Sequence, residues 1–276
     1  MKDNPYQLLR EFFAADPEKA DMVGTSIPFH PNMPMGFVPA ALANEDILVG
    51  KDGLTLLNDR PLNAETPPEL LDDAITPTSR HFIRNNGIPP EDVDPTTWTL
   101  TIDGFVDTPM EMTIADMKAN FDVVTMALTL ACGGNGRSFF NPPAKGNQWT
   151  YGAVACSEWT GVRLKAVLEA AGVRLVAPGW PAATAHKWLK RIELRDIVHD
   201  GPKMTGSAYR VPNRKVSPGE DVAKEDFVII ERMPVKSLVT FPANGASIGM
   251  ETEVRGHAWS GEREIASIDV SFDFGA

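Results

Sequence analysis

The clearest alternation of apolar and polar positions lies in TWTLTIDG (97–104). Trp98, Leu100 and Ile102 fall on one side of an extended chain and Gly104 turns it, which predicts a strand. Thr113 stands where an N-cap belongs, ahead of a short predicted helix, IADMKAN. VVTMALTLA (123–131) is a mostly apolar run and predicts a buried strand. In WTGVRLKAVLEAAG (159–172), Val162, Val167, Leu168 and Ala171 share a helical face, and Gly172 ends the helix. HKWLKRIEL (186–194) and EDFVIIER (225–232) read as strands. Residues 253–273 read as two strands around Ser260-Gly261, the second alternating Ile268, Val270 and Phe272.

Residues outside these runs are less periodic. A short helix over 4–14 would end at Asp16-Pro17. Residues 24–79, rich in Pro, Asn, Asp and Gly, read as a long wrapping segment with short strands, or as partly disordered. From MPVKSLVTFP onward the pattern suggests a linker and a β module. The residues after Met233 number fewer than the roughly 100 of a whole β sandwich. No internal repeat occurs.

Composition narrows the classes. Hydrophobic residues make up 43% and charged residues 23%, enough for a sizeable core. The 23 prolines favour turns and short strands. A net charge of −11 argues against nucleic acid as a partner and is compatible with a basic protein. No run of about 18 apolar residues exists, so no membrane helix is expected. MKDNPYQLLREFF lacks the apolar centre of an export signal. Two cysteines, Cys132 and Cys156, exclude a disulfide framework and a four-cysteine metal site.

Candidate chemistry concentrates in CGGNGRS (132–138). The loop puts a thiol at a strand end among glycines that let a bulky group approach. Arg137, five residues on, could stabilise a thiolate or bind an oxyanion. A buried cysteine beside a glycine turn fits the same letters. In SRHFIRNNG (79–87), Arg80, His81 and Arg84 interleave with Asn85 and Asn86. That is a surface charge cluster or a set of hydrogen bonds for a polar cofactor. The five histidines show no metal-ligand spacing. GxGxxG, GxxxxGK[ST] and GxSxG are absent.

HFIRNNGIPP, W-x-L-x-I-x-G, LACGGNGRS, WTYGAVACSEWTGVRLKAVLEAAGV, RLVAPGW…HKWLKRI, YRVP and PVKSLVT…GHAWSGE occur together and in order. In these, from about residue 76 onward, the chain resembles the sulfite oxidase family of molybdenum enzymes, most of all the haem-free bacterial sulfite dehydrogenases. The resemblance implies an α+β fold: a sulfite-oxidase-type molybdopterin-binding domain over 80–232, after an N-terminal wrapping segment (1–79). A partial immunoglobulin-like dimerisation module would follow over 233–276. It implies a molybdenum–molybdopterin cofactor whose metal is ligated by the Cys132 thiolate, a soft ligand suited to a redox metal. Phe82, Ile83, Arg84, Asn85 and Asn86 match the segment that holds the pterin. Arg174, Ala185, His186 and Lys187 match further contacts to the pterin and its phosphate. Arg84, Arg137 and Trp149 match residues lining the sulfite site, where two guanidinium forks attract a doubly charged anion. The activity implied is oxidation of sulfite to sulfate with electrons passed to a c-type cytochrome, in the periplasm. A homodimer is left open.

The departures are specific. In the family several dozen residues separate LEAAGV from the RLVAPGW strand, whereas here Arg174 directly follows Val173. That stretch carries an acidic cofactor contact, a tyrosine of the substrate site and a histidine; Glu169 stands where the histidine would be counted. Gly136 replaces an arginine common in the animal enzymes. Two alternatives follow. One is a non-catalytic remnant or assembly module. The other is a related molybdenum enzyme acting on another sulfur compound or a sulfoxide.

Overall fold

The computed structural model describes residues 48–90, 93–172, 186–197, 210–217, 219–230, 233–261 and 263–271. The helix expected over 4–14 lies outside them, as do Arg174 and Ala185. The described residues mix strands with two short α-helices, and the chain divides into two compact units, each gathered from three stretches.

The first unit takes in residues up to Pro89, Gly134–Ala155 and Thr240–Arg255. Its sheet is the antiparallel hairpin of β1 (Thr55–Asp59) and β2 (Leu62–Glu65). Leu48, Leu54 and Ala64 form its core, with Leu56, Leu62 and Ile83 packed against them. The chain returns beside β2, where Ala64 and Ile83 exchange two backbone hydrogen bonds of 3.0 and 2.8 Å. Asp72 ties in the C-terminal stretch by accepting from Thr240 Oγ1 at 2.5 Å and pairing with Arg255 at 2.8 Å. The short strands expected within 24–79 are present in its described part.

The second unit takes in Pro90–Gly133, Cys156–Val239 and residues from Gly256 onward. Its sheet has the order β4–β3–β7. Here β3 (Thr99–Gly104) runs antiparallel to β4 (Met110–Thr113) and parallel to β7 (Arg191–Leu194). Leu100 and Ile102, two apart on β3, point to one face and are buried with Met112 and with Val167, Leu168 and Ala171. Gly104 has φ +84°, and a Cβ there would lie 2.1 Å from Leu194 O, so only glycine allows β3 and β7 this close. Thr113 caps α1 (Ile114–Asn120) in a full capping box: its Oγ1 accepts from Asp116 N at 3.0 Å, and Asp116 accepts from Thr113 N at 2.9 Å.

Four elements differ from the sequence reading. The run over 123–131 does form a strand, β5 (Val123–Ala131), but it is largely exposed. It pairs with β6 (Val154–Val162) in a two-stranded sheet, and Val123 and Leu128 are 47% and 44% exposed. The helix expected from residue 159 begins at Leu164 (α2, Leu164–Ala170), because β6 runs on to Val162. Gly172 follows it at φ +85°, as a C-terminal glycine should. Only Arg191–Leu194 of 186–194 is a strand, since Trp188 has φ +54° and breaks the extended run. Of the two strands around Ser260-Gly261, β11 (Arg255–Trp259) forms and pairs with β10 (Lys236–Phe241). Residues 263–271 form none, with Ile268 and Val270 exposed. Between β7 and β10 in the sequence, β8 (Arg210–Pro212) and β9 (Phe227–Ile229) pair in a small antiparallel sheet, the latter inside the strand expected over 225–232.

Candidate functional site

The first unit gathers most of the residues singled out in the sequence. The bridge at Ile83 lays the segment 82–86 along β2. Asn85 is buried, its amide N–H donates to Asn63 Oδ1 at 2.8 Å, and its side chain donates to Leu62 O at 2.8 Å. Arg84 Nη1 donates to the carbonyl of Asn85 and reaches Asn63 Oδ1 at 3.4 Å. Lys51 holds the approach to this segment, donating to the carbonyls of Thr78 and His81 at 2.6 and 3.0 Å. Its burial lowers its pKa from the usual lysine value.

Phe82 lies edge-on to Trp149, with ring centroids 6.4 Å apart, and Trp149 is 1% exposed. The loop after Gly134 is laced to the strip around Trp149. Gly136 N donates to Thr150 O at 2.7 Å and Ser138 N to Trp149 O at 3.1 Å. Asn135 donates to Tyr151 O and accepts from Ala153 N. Arg137 Nη1 donates to Asn147 O at 3.0 Å. Its guanidinium lies against two glycines: a Cβ on Gly134 or on Gly146 would each come within 2.6 Å of it. Gly136 supplies a left-handed turn at φ +89°. The glycines of CGGNGRS thus make room for Arg137 and turn the chain into it.

Glu65, at the end of β2, is buried and grips the same strip. Its carboxylate accepts from Thr150 N and Thr150 Oγ1, each at 2.8 Å, and from the Gly152 N–H. Desolvation raises its pKa, against the pull of these three donors. Glu65 was not among the expected site residues, nor were Asn63, Lys51 and Ser138. Glu65, Asn63 and Lys51 sit in stretches with no periodicity, and Ser138, though it closes CGGNGRS, is a residue type that carries no signal of its own.

The second unit carries the rest. Cys132 directly follows β5, and no disulfide joins it to Cys156. Lys236, at the start of β10, has its pKa lowered by burial, while the charge of Cys132 acts the other way. His186 and Lys187 lie on an exposed turn with Lys187 Nζ 4.8 Å from the Trp188 ring centroid. Phe82, Ile83, Arg84, Asn85, Asn86, Arg137 and Trp149 are therefore placed within one unit, and Cys132, His186 and Lys187 within the other.

Residues 86–173 match the family model described as the oxidoreductase molybdopterin binding domain. The chain is 28% identical to sulfite oxidase of Gallus gallus, over 86% of this chain and 66% of that protein. The chain is thus similar to the sulfite oxidase family and carries, over residues 86–173, a match to its molybdopterin-binding domain. An NADH nitrate reductase of Ulva prolifera is 26% identical over 81% of this chain and 34% of its own. Among solved structures, the sulfane dehydrogenase SoxCD of Paracoccus pantotrophus superposes with a TM-score of 0.57 at 21% identity. It covers 84% of this chain and 72% of that one, and shows the fold. The chain spans about half to two thirds of the length of the sulfite oxidases it matches. The alignment with the Gallus gallus enzyme runs to 309 positions, more than this chain's 276 residues, so the relative has internal positions that this chain lacks. The family match stops at Val173, where the sequence reading places such a gap.

The family's cofactor is molybdenum–molybdopterin, and the residues present fit it. Ser138 Oγ is buried with no hydrogen-bond partner among the described residues, beside Arg137. The surrounding backbone is bare glycine, and a thiol begins the loop. Cationic and amide donors suit an anionic, oxygen-rich group.

Proposed function

We propose that this chain holds molybdenum–molybdopterin, with the Cys132 thiolate as its metal ligand, and oxidises sulfite to sulfate. The electrons then pass singly to a c-type cytochrome, and a periplasmic address belongs to the same proposal. When bound, the metal centre supplies two-electron oxygen-atom transfer. The protein's part is orientation and charge. Arg84 and Arg137 present guanidinium groups to a small dianion, and Arg137 is held by its bond to Asn147 O and its seat against Gly134 and Gly146. The observation that carries the reading is that the Arg137 loop is hydrogen-bonded to the strip around Trp149 and that Phe82 packs edge-on against Trp149.

A second reading, a non-catalytic remnant, draws on different observations. The Gallus gallus enzyme has aligned positions missing here, and β5, which leads into Cys132, is exposed along much of its length. Elemental analysis of chain purified from a cofactor-competent host separates the two. The proposal expects near-stoichiometric molybdenum and sulfite-dependent reduction of cytochrome c. A metal-free chain would leave the remnant. Bound molybdenum with turnover of nitrate or a sulfoxide, but not sulfite, would replace the substrate and keep the enzyme.

A further inference from the structure

The strip 149–153 is held by two sets of partners. The first is the Arg137 loop. Ser138 N donates to Trp149 O at 3.1 Å, Gly136 N to Thr150 O at 2.7 Å and Asn135 Nδ2 to Tyr151 O at 3.1 Å, while Ala153 N donates to Asn135 Oδ1 at 3.1 Å. The second is the end of β2. The Glu65 carboxylate accepts from Thr150 N and Thr150 Oγ1, each at 2.8 Å, and from the Gly152 N–H. Thr66 N, the next residue, donates to Gly152 O at 3.2 Å. A Cβ on Gly152 would lie 1.9 Å from Thr66 O, so the two segments meet backbone to backbone.

The two sets meet at Thr150. Its N–H goes to Glu65, and its carbonyl takes the N–H of Gly136, the residue before Arg137. The same strand holds the segment that bears Arg84. Ala64 exchanges two backbone hydrogen bonds with Ile83, and Asn63 Oδ1 accepts from Asn85 N at 2.8 Å. Both arginine-bearing segments therefore hang from neighbouring residues of β2, that of Arg137 by way of Glu65. Burying a carboxylate is costly, and donors from a single strip offset part of that cost only while the strip stays in place.

We propose that Glu65 is a positioning residue for Arg137: it fixes Thr150 and Gly152, and through Thr150 the loop that presents the guanidinium to the anion. The inference rests on the oxyanion reading for what Arg137 does. The positioning itself can be read without that reading.

The test combines hydrogen exchange over residues 134–140 with sulfite kinetics, on chain purified from a cofactor-competent host. Glu65→Ala leaves Thr150 N and Gly152 N without their acceptor. Exchange over 134–140 should become about tenfold faster, in line with losing a hydrogen bond to a charged group, while exchange in α1 stays as in the parent. KM for sulfite should rise about tenfold and kcat change less. Adding Glu65→Ala to Arg137→Ala should raise KM no further, because the effect runs through Arg137. Glu65→Gln keeps an acceptor for Thr150 N and should restore most of the protection and of the KM. Thr150→Val, which loses only the hydroxyl bond, should move both readouts the same way by less, and decides the matter if Glu65→Ala does not fold. Exchange over 134–140 that rises no more than in α1, or KM effects of Glu65→Ala and Arg137→Ala that multiply, would overturn the proposal. A parent chain inert towards sulfite, with loop exchange still responding to Glu65→Ala, would uphold the positioning and sink the sulfite reading alone.

Discussion

At the scale of single residues, Glu65 and Cys132 are opposite cases of legibility. Cys132 could be singled out from its letters, because a thiol at a strand end before Gly-Gly-Asn-Gly-Arg is rare and chemically pointed. Replacing it by serine removes the soft thiolate while nearly keeping its volume. Cys132→Ser is therefore expected to lose the thiolate-to-metal absorption and turnover, with an unchanged far-ultraviolet circular dichroism spectrum. Retained thiolate-to-metal absorption would dismiss Cys132 as the ligand. Glu65 lies in a segment where no pattern marks a buried carboxyl, and only the fold shows that it grips Thr150 and Gly152. Its raised pKa gives a signed expectation. The folded chain holds the Glu65 proton more tightly than the unfolded chain does. The group's contribution is thus fully present below pH 4.5, its ordinary value, and falls away as pH rises through the folded pKa. Glu65→Gln cannot titrate. From pH 4 to 7 the unfolding temperature of the parent should fall relative to that of the variant. Parallel pH profiles would show that Glu65 has an ordinary carboxyl pKa.

At the scale of elements, local signals were sound wherever the cause was local. Thr113 capped the helix that its letters predicted, and Gly172 ended the next one. The cap closes reciprocally between Thr113 and Asp116, so Thr113→Ala should cost about 1 kcal/mol in denaturant unfolding at unchanged m-value, the usual worth of an N-cap. A change under a few tenths would mean that the box forms without supporting the fold. What local patterns could not give was the environment. The run 123–131 reads as buried because it is apolar, but burial is set by what covers a strand. Within its two-stranded sheet, β5 has only β6 beside it. The start of α2 was misplaced for a similar reason. Val162 falls on the apolar face of a helix, yet it belongs to β6 and packs against the same core from there. Trp188 illustrates a third limit, since nothing in HKWLK announces a left-handed residue.

At the scale of the whole molecule, the sequence divides the chain into contiguous segments, because composition changes can only be read along it. The two units are instead each gathered from three stretches, with Asp72 reaching Thr240 and Arg255 across more than 160 positions. Such closures have little local signature and depend on the rest of the chain being in place. That gives the cofactor leverage over stability. A ligand that binds the folded chain alone, present at about 100 times its dissociation constant, adds about 2.7 kcal/mol. For a chain of this size that raises the unfolding temperature by roughly 5–10 °C. Chain prepared with molybdenum should therefore unfold that much higher than chain prepared without it, and Cys132→Ser should show a smaller difference. The same comparison bears on the positions missing relative to the Gallus gallus enzyme. If loading leaves the unfolding temperature where it was, the cofactor is not gripped by the folded chain, and the exposed β5 marks a site that lost its cover along with its function.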